Sequence, residues 1–248
     1  MNIVLIHGFS SLPAKERLKL LIEKIAKELP GVNIIVPNYL ERYSRLGIIT
    51  AGKKSITEYA IICKSIIETK KGKGPLILVG YSLGGLVARV LVEKIKINAQ
   101  AVILVGTPNM GVKLNRWEKL LIKIIKRPTI EEMLPNSEFL KNLNENYEKL
   151  WLQTRYYLLA GTKDKRVPLE SALAKIILSE GEAIGTTNHS GLIPKKPKKN
   201  KLKPDAIDII IKILRKEAGF QSASFLLHAK SATLDLWSRS MRMRPCEY

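Results

Sequence analysis

Five stretches of the chain are apolar at nearly every position: Ile3 to Ile6, Val32 to Val36, Leu76 to Val79, Ala101 to Val105 and Tyr156 to Ala160. Short continuous runs of this kind suit strands buried on both faces of a parallel sheet. Between them the spacing changes. Leu18, Leu21, Ile22, Ile25 and Leu29 share one face at helical period, in a segment that starts after Pro13 and stops at Pro30 and Gly31. Leu86, Val87, Val90, Leu91 and Ile95 repeat the pattern after Gly85. Strands separated by helices predict an α/β fold, with a mostly parallel sheet of about six strands and helices on both faces. The sixth strand is expected near Glu182 to Ile184.

Two segments break the alternation. From Thr107 to Tyr156 the chain holds short helical patterns and no convincing strand, and 107–155 reads as a helical cap insertion. It leaves the C-terminal end of one strand, the edge on which the loops of a parallel sheet converge. Within it Trp117, Leu120, Leu121, Ile124 and Ile125 form an apolar stripe. The second break follows a last helix expected over Pro204 to about Ala218. Residues 219–248 contain no isoleucine and three Arg to one Lys, against nine Arg to 29 Lys in residues 1–218. One domain over 1–218 and a C-terminal tail outside the fold are expected.

Ser82 stands where the run Leu76 to Val79 turns into a helix, between Gly80 and Gly84, in the pattern G-x-S-x-G. Glycines at such a corner let backbones approach where a side chain would collide, and the corner lifts a serine hydroxyl above the sheet at a helix N-terminus. A plain helix-capping serine is the alternative. A nucleophilic serine needs a base, and the base needs an acid to hold its tautomer. The chain has three histidines. His228 lies in the tail, His7 directly follows the first strand, and His189 sits in the polar loop TTNHSGL. Between Ser82 and His189 the one aspartate is Asp164, just past the fifth strand. Glu170 and Glu182 stay open as acids, although neither directly follows a clear strand.

Residues 3 to about 217 resemble the α/β-hydrolase superfamily in its small lipase and esterase branch. IVLIHGF resembles its oxyanion segment, GYSLGG its elbow, GTPNMG the motif after the following strand and MLPNSEFLKNLN a cap segment. GTKDKRVPLESA and NHSGL resemble its acid and histidine loops, and all six motifs occur in the family's order. With the first strand beginning at residue 2, the resemblance implies a minimal form of the fold. It also implies carboxylic-ester hydrolysis through an acyl-enzyme, with Ser82 as nucleophile, His189 as base then acid and Asp164 as its partner. The backbone N–H groups of Phe9 and Leu83 would form the oxyanion hole. An acyl ester or lipid would be the substrate, Leu120, Leu121 and Ile124 would line its site, and neither cofactor nor metal is implied. Thioester or amide hydrolysis and acyl transfer use the same triad, and a non-catalytic binder of anionic surfaces is the reading from another class.

Composition adds less. A net charge of +20 makes an anionic surface a physically reasonable partner. The loop PKKPKKNKLKP reads first as a solvated segment, and second as an anionic-lipid contact through Lys195 to Lys203; no nucleic acid is expected. Lys outnumbers Arg 30 to 12 beside only three Gln, as in thermostable proteins. Cys63 and Cys246 form neither a disulfide framework nor a metal-ligand spacing. No apolar run reaches the ~20 residues that span a bilayer, and MNIVLIHGFS reads as a strand, not a signal peptide, so a cytoplasmic location is expected.

Overall fold

The computed structural model describes residues 1–9, 13–40, 52–114, 127–145, 154–174, 180–184, 187–194 and 205–219. Six strands, β1 (Asn2–Ile6), β2 (Asn33–Ile35), β3 (Leu76–Tyr81), β4 (Ala101–Val105), β5 (Arg155–Gly161) and β6 (Glu180–Ile184), form one sheet in the order β2-β1-β3-β4-β5-β6. Every pairing is parallel. The expected strand count and direction are met, and the sixth strand starts two residues earlier than its apolar pattern suggested.

Alternate residues of each strand serve opposite faces, which is why apolar side chains are needed at consecutive positions. Val4, Ile6, Leu78, Val102, Leu104 and Leu158 pack beneath α3 (Ile56–Lys70) and α4 (Leu83–Glu93). Ile3, Leu5, Ile77, Val79, Ile103 and Leu159 pack beneath α2 (Lys19–Glu28) and the last helix, α9 (Ala206–Glu217). The helix expected between Pro13 and Pro30 is broken at Leu18, whose φ of −104° and ψ of 10° separate α1 (Ala14–Arg17) from α2. Helix α3 starts at a capping box: Ser55 Oγ accepts from the Glu58 amide at 3.1 Å, and the Ser55 amide donates to Glu58 Oε2 at 2.8 Å.

The excursion between β4 and β5 contains α5 (Pro128–Glu132) and α6 (Glu138–Glu145) among its described residues. Met133, Leu140 and Leu143 are buried in the same core as α3 and α4. A fully buried ion pair ties these parts together. Arg89 donates to both oxygens of Glu93, at 2.8 and 3.0 Å, and through Nη1 to Asn144 Oδ1 at 2.9 Å and Asn109 Oδ1 at 3.3 Å. Elbow helix, post-β4 loop and insertion thus share one guanidinium. Breaking such a pair on one side is costly because the other charge is left buried without a partner. Residues 115–126, with Trp117 and Ile125, and the tail 220–248 lie outside the described residues.

Helices α7 (Leu169–Ala172) and α8 (His189–Leu192) are single turns at the ends of β5 and β6. The C-terminal end of α9 is anchored by Glu217, which accepts from Arg155 Nε at 2.9 Å, Tyr157 Oη at 2.6 Å and Gln100 Nε2 at 2.8 Å. Burial by itself would raise this carboxyl, but hydrogen bonds from Arg155, Tyr157 and Gln100 outweigh it and hold the group below the ordinary glutamate value. A carboxyl depressed on folding stabilises above its unfolded pKa, and that stabilisation disappears as pH falls through the folded one. Glu217→Gln should therefore cost about 1.5–3 kcal/mol in urea unfolding near neutral pH. The gap to wild type should narrow on acidification below about pH 4; a gap independent of pH would show that the charge at Glu217 is not what anchors the helix.

Candidate functional site

The turn from β3 into α4 is the tightest place in the fold. A Cβ at Gly84 would fall 2.1 Å from the Ile6 carbonyl oxygen, and one at Gly80 would fall 2.5 Å from Gly84 O. Only glycine permits both approaches, as expected from the sequence. At the apex Ser82 takes φ 54° and ψ −122°, a conformation costly for a residue with a side chain. Its amide donates to Val105 O at 2.8 Å, which holds the apex against the end of β4.

Strained placement of one serine has a chemical consequence, since its side chain points away from the helix cap. Ser82 Oγ lies 2.9 Å from His189 Nε2, and His189 Nδ1 lies 2.6 Å from Asp164 Oδ2. A carboxylate can only accept, so Nδ1 carries the proton and Nε2 offers its lone pair to the hydroxyl. Asp164 is fixed in turn: Oδ1 accepts from the Arg166 and Val167 amides, each at 2.9 Å. Its side chain is 1% exposed and that of His189 22%, so the acid is shielded while the imidazole keeps access to solvent. An array of this kind can relay a proton from hydroxyl to imidazole and stabilise the imidazolium that results.

Of the three candidate acids, Asp164 is the one hydrogen-bonded to His189 among the described residues; Glu170 is exposed on α7, and Glu182 lies in β6. Gly8, just before Phe9, packs against the serine so closely that a Cβ there would sit 2.8 Å from Ser82 Cβ. The Phe9 and Leu83 amides, nominated as oxyanion donors, have no hydrogen-bond acceptor among the described residues. Leu120, Leu121, Ile124 and Lys195 to Lys203 lie outside the described residues. Among the described residues no three metal-ligating side chains cluster, and no helix is long and apolar enough to cross a membrane.

Sequence reasoning missed the layer behind the histidine. Tyr81, the variable position before Ser82, stacks on the His189 ring with centroids 5.2 Å apart and donates its hydroxyl to His189 O at 2.9 Å. Burial pushes the Tyr81 phenol up, with Arg17 opposing, which keeps it a neutral donor. The buried Arg17 guanidinium lies 4.8 Å from the Tyr81 ring centroid and donates to Ile193 O at 2.6 Å, at the far end of α8. His7 lies apart from this line of contacts: it is buried, desolvation lowers its pKa, and its Nδ1 donates to Gly8 O at 2.7 Å. Tyr39 donates to the His7 carbonyl and stacks beside its ring at 4.9 Å. No local pattern could have announced Arg17 or Tyr39, because each acquires its role only when distant segments meet.

The sequence from residue 2 to 157 matches the family model described as palmitoyl protein thioesterase. A search of curated proteins returned no significant match. Solved structures share the fold at low identity. A monoacylglycerol lipase from Paleococcus ferrophilus is 18% identical over 87% of this chain and 94% of its own, with a TM-score of 0.60. The mouse α/β hydrolase domain-containing protein 10 is 20% identical over 89% and 90%, with a TM-score of 0.57. An α/β hydrolase from a lagoon-sediment metagenome of Mar Chica, Morocco, is 19% identical over 88% and 92%, with a TM-score of 0.60. Because the matched segment runs from the first strand into the fifth and takes in the serine elbow, the chain belongs to the palmitoyl protein thioesterase family of the α/β-hydrolase superfamily.

Proposed function

We propose that the chain is a serine hydrolase of acyl esters that works through an acyl-enzyme. The observation that carries this reading is the unbroken line from Asp164 through His189 to Ser82, set on an apex held at positive φ. Ser82 attacks the acyl carbonyl while His189 takes its proton; the same imidazole returns it to the leaving group, and water then repeats the sequence to release the acid. Phe9 and Leu83 N–H groups stabilise the oxyanion, an effect worth about 3 kcal/mol per donor in comparable sites. No metal or cofactor enters any step.

The insertion serves as a cap. Support comes from α5: a Cβ at Gly52 would be 3.5 Å from both the Phe9 ring and Thr129 Cβ, so the insertion reaches the segment next to the serine. Leu120, Leu121 and Ile124 then line the acyl site, where each buried methylene contributes about 0.8 kcal/mol. Thioester hydrolysis is the second reading, favoured by the family match. The triad serves both, because thiolate is the better leaving group and needs less help from His189.

Matched oxygen esters and thioesters of increasing acyl length should distinguish the two on wild type and Ser82→Ala together. Turnover should rise with chain length on at least one series, and Ser82→Ala should lower it by several orders of magnitude on both. Undiminished turnover in Ser82→Ala would overturn the assignment.

Tyr81 supplies a subtler check, since it packs on His189 and bonds its backbone. Tyr81→Phe retains the stack and should lose little, whereas Tyr81→Leu should lower kcat roughly tenfold or more with KM nearly unchanged. An undiminished kcat in Tyr81→Leu, or a change confined to KM, would remove Tyr81 from the positioning of the base.

A further inference from the structure

Among the described residues three large apolar side chains are exposed: Ile61, Met110 and Leu169. Ile61 lies alone on α3, whereas Met110 (46% exposed), after β4, and Leu169 (37%), on α7 after β5, both follow the carboxyl ends of their strands. The Met110 amide donates to Ser171 Oγ at 3.0 Å, and Ser171 Oγ donates to Gly111 O at 2.8 Å, so the post-β4 loop and α7 are joined there. The post-β4 loop is also joined to the acid loop, through the Lys113 amide and Arg166 O at 2.8 Å. One continuous rim results.

This rim is cationic as well as apolar. Lys113, Lys163 and Lys165 are exposed on it, and none forms an ion pair among the described residues. Of its two carboxylates, Asp164 is taken up by His189 and two amides, which leaves Glu170 alone to oppose three lysines. Elsewhere exposed lysines are often balanced along helices, as Lys19 by Glu23 and Lys64 by Glu68. Unbalanced positive charge around projecting apolar side chains is the pattern that binds an anionic bilayer: the charges attract, and the apolar groups enter the interface.

We infer that the rim formed by Met110, Lys113, Lys163, Lys165 and Leu169 docks on anionic lipid and presents the serine edge to acyl groups held in that surface. The inference rests on the acyl-hydrolase reading for its purpose, but not for its physics. Asp164 lies within the rim itself, so docking brings the acid loop and its histidine to the lipid plane. An acyl chain could pass from bilayer to site without crossing water. The occupant is lipid because unbalanced lysines surround two projecting apolar side chains, the combination that an anionic interface receives.

Vesicle sedimentation tests this in the Ser82→Ala background, where binding is separated from turnover. The probes are vesicles of phosphatidylcholine alone and of phosphatidylcholine with one-third phosphatidylglycerol. Lys163→Gln with Lys165→Gln should weaken binding to the anionic vesicles by roughly tenfold or more at low salt. Lys71→Gln with Lys73→Gln removes equal charge from exposed lysines at the opposite sheet edge and should change it little. Met110→Ser with Leu169→Ser should weaken the part of binding that survives high salt. Equal losses from the two lysine pairs would assign binding to net charge and overturn the proposal. So would a failure to prefer anionic vesicles, or heparin binding as tight as vesicle binding and indifferent to Met110 and Leu169. In the active chain the lysine variants should keep wild-type turnover on soluble short-chain esters, which separates a docking defect from a failure of the acyl-hydrolase reading.

Discussion

Everything at the site depends on how closely the elbow can approach its neighbours. The first turn of α4 lies almost on top of β1 and β3, with Gly84 against the Ile6 carbonyl and Gly85 against the Thr107 side chain. This contact pushes Ser82 out of the helix path into its positive-φ conformation, and the hydroxyl has nowhere to go but above the strand ends. The cost of one strained residue, of order 1–3 kcal/mol, is met by packing that determines the turn from every side. A larger residue at Gly80, Gly84 or Gly85 would relax the turn and take the hydroxyl from the histidine.

The partners reach that hydroxyl because a parallel sheet ends all its strands on one edge. Asp164 follows β5, His189 follows β6 and the Gly8 to Phe9 segment follows β1, so three loops converge over the apex of β3. Each loop is then tied down by a different interaction. Two amides of its own turn grip Asp164. Tyr81 and Arg17 hold the two ends of α8, and Tyr39 grips the His7 carbonyl. Arg89 secures the insertion and the post-β4 loop from beneath. A few short polar contacts in a mostly apolar molecule therefore set the geometry of the site.

The elements that could be read from sequence are those in which local pattern and tertiary role agree. Runs such as Ala101 to Val105 are apolar at every position because both faces of a central strand are covered, and the run itself announces this. Ser82, Asp164 and His189 could be selected because the chain has few histidines and only one aspartate in the interval that matters. Where roles arise from distant contacts, the sequence is silent. Arg17 sits on a short helix where an exposed arginine would be unremarkable, yet it is buried against Tyr81. The break at Leu18 was hidden because Leu18 and Leu21 keep the helical spacing across it. The rim was missed for a similar reason: Met110 and Lys113 follow one strand, Lys163, Lys165 and Leu169 follow another, and only the sheet order brings the two segments together.

An acyl-enzyme mechanism requires an acyl group to pass through Ser82. Rapid quenching of the enzyme during turnover of a long-chain acyl ester, followed by peptide mass mapping, measures this directly. The peptide that contains Ser82 should gain the mass of the acyl group within the first turnover, and lose it again when substrate is exhausted. Sustained hydrolysis with Ser82 unmodified throughout, or with the acyl group on another residue, would contradict the account.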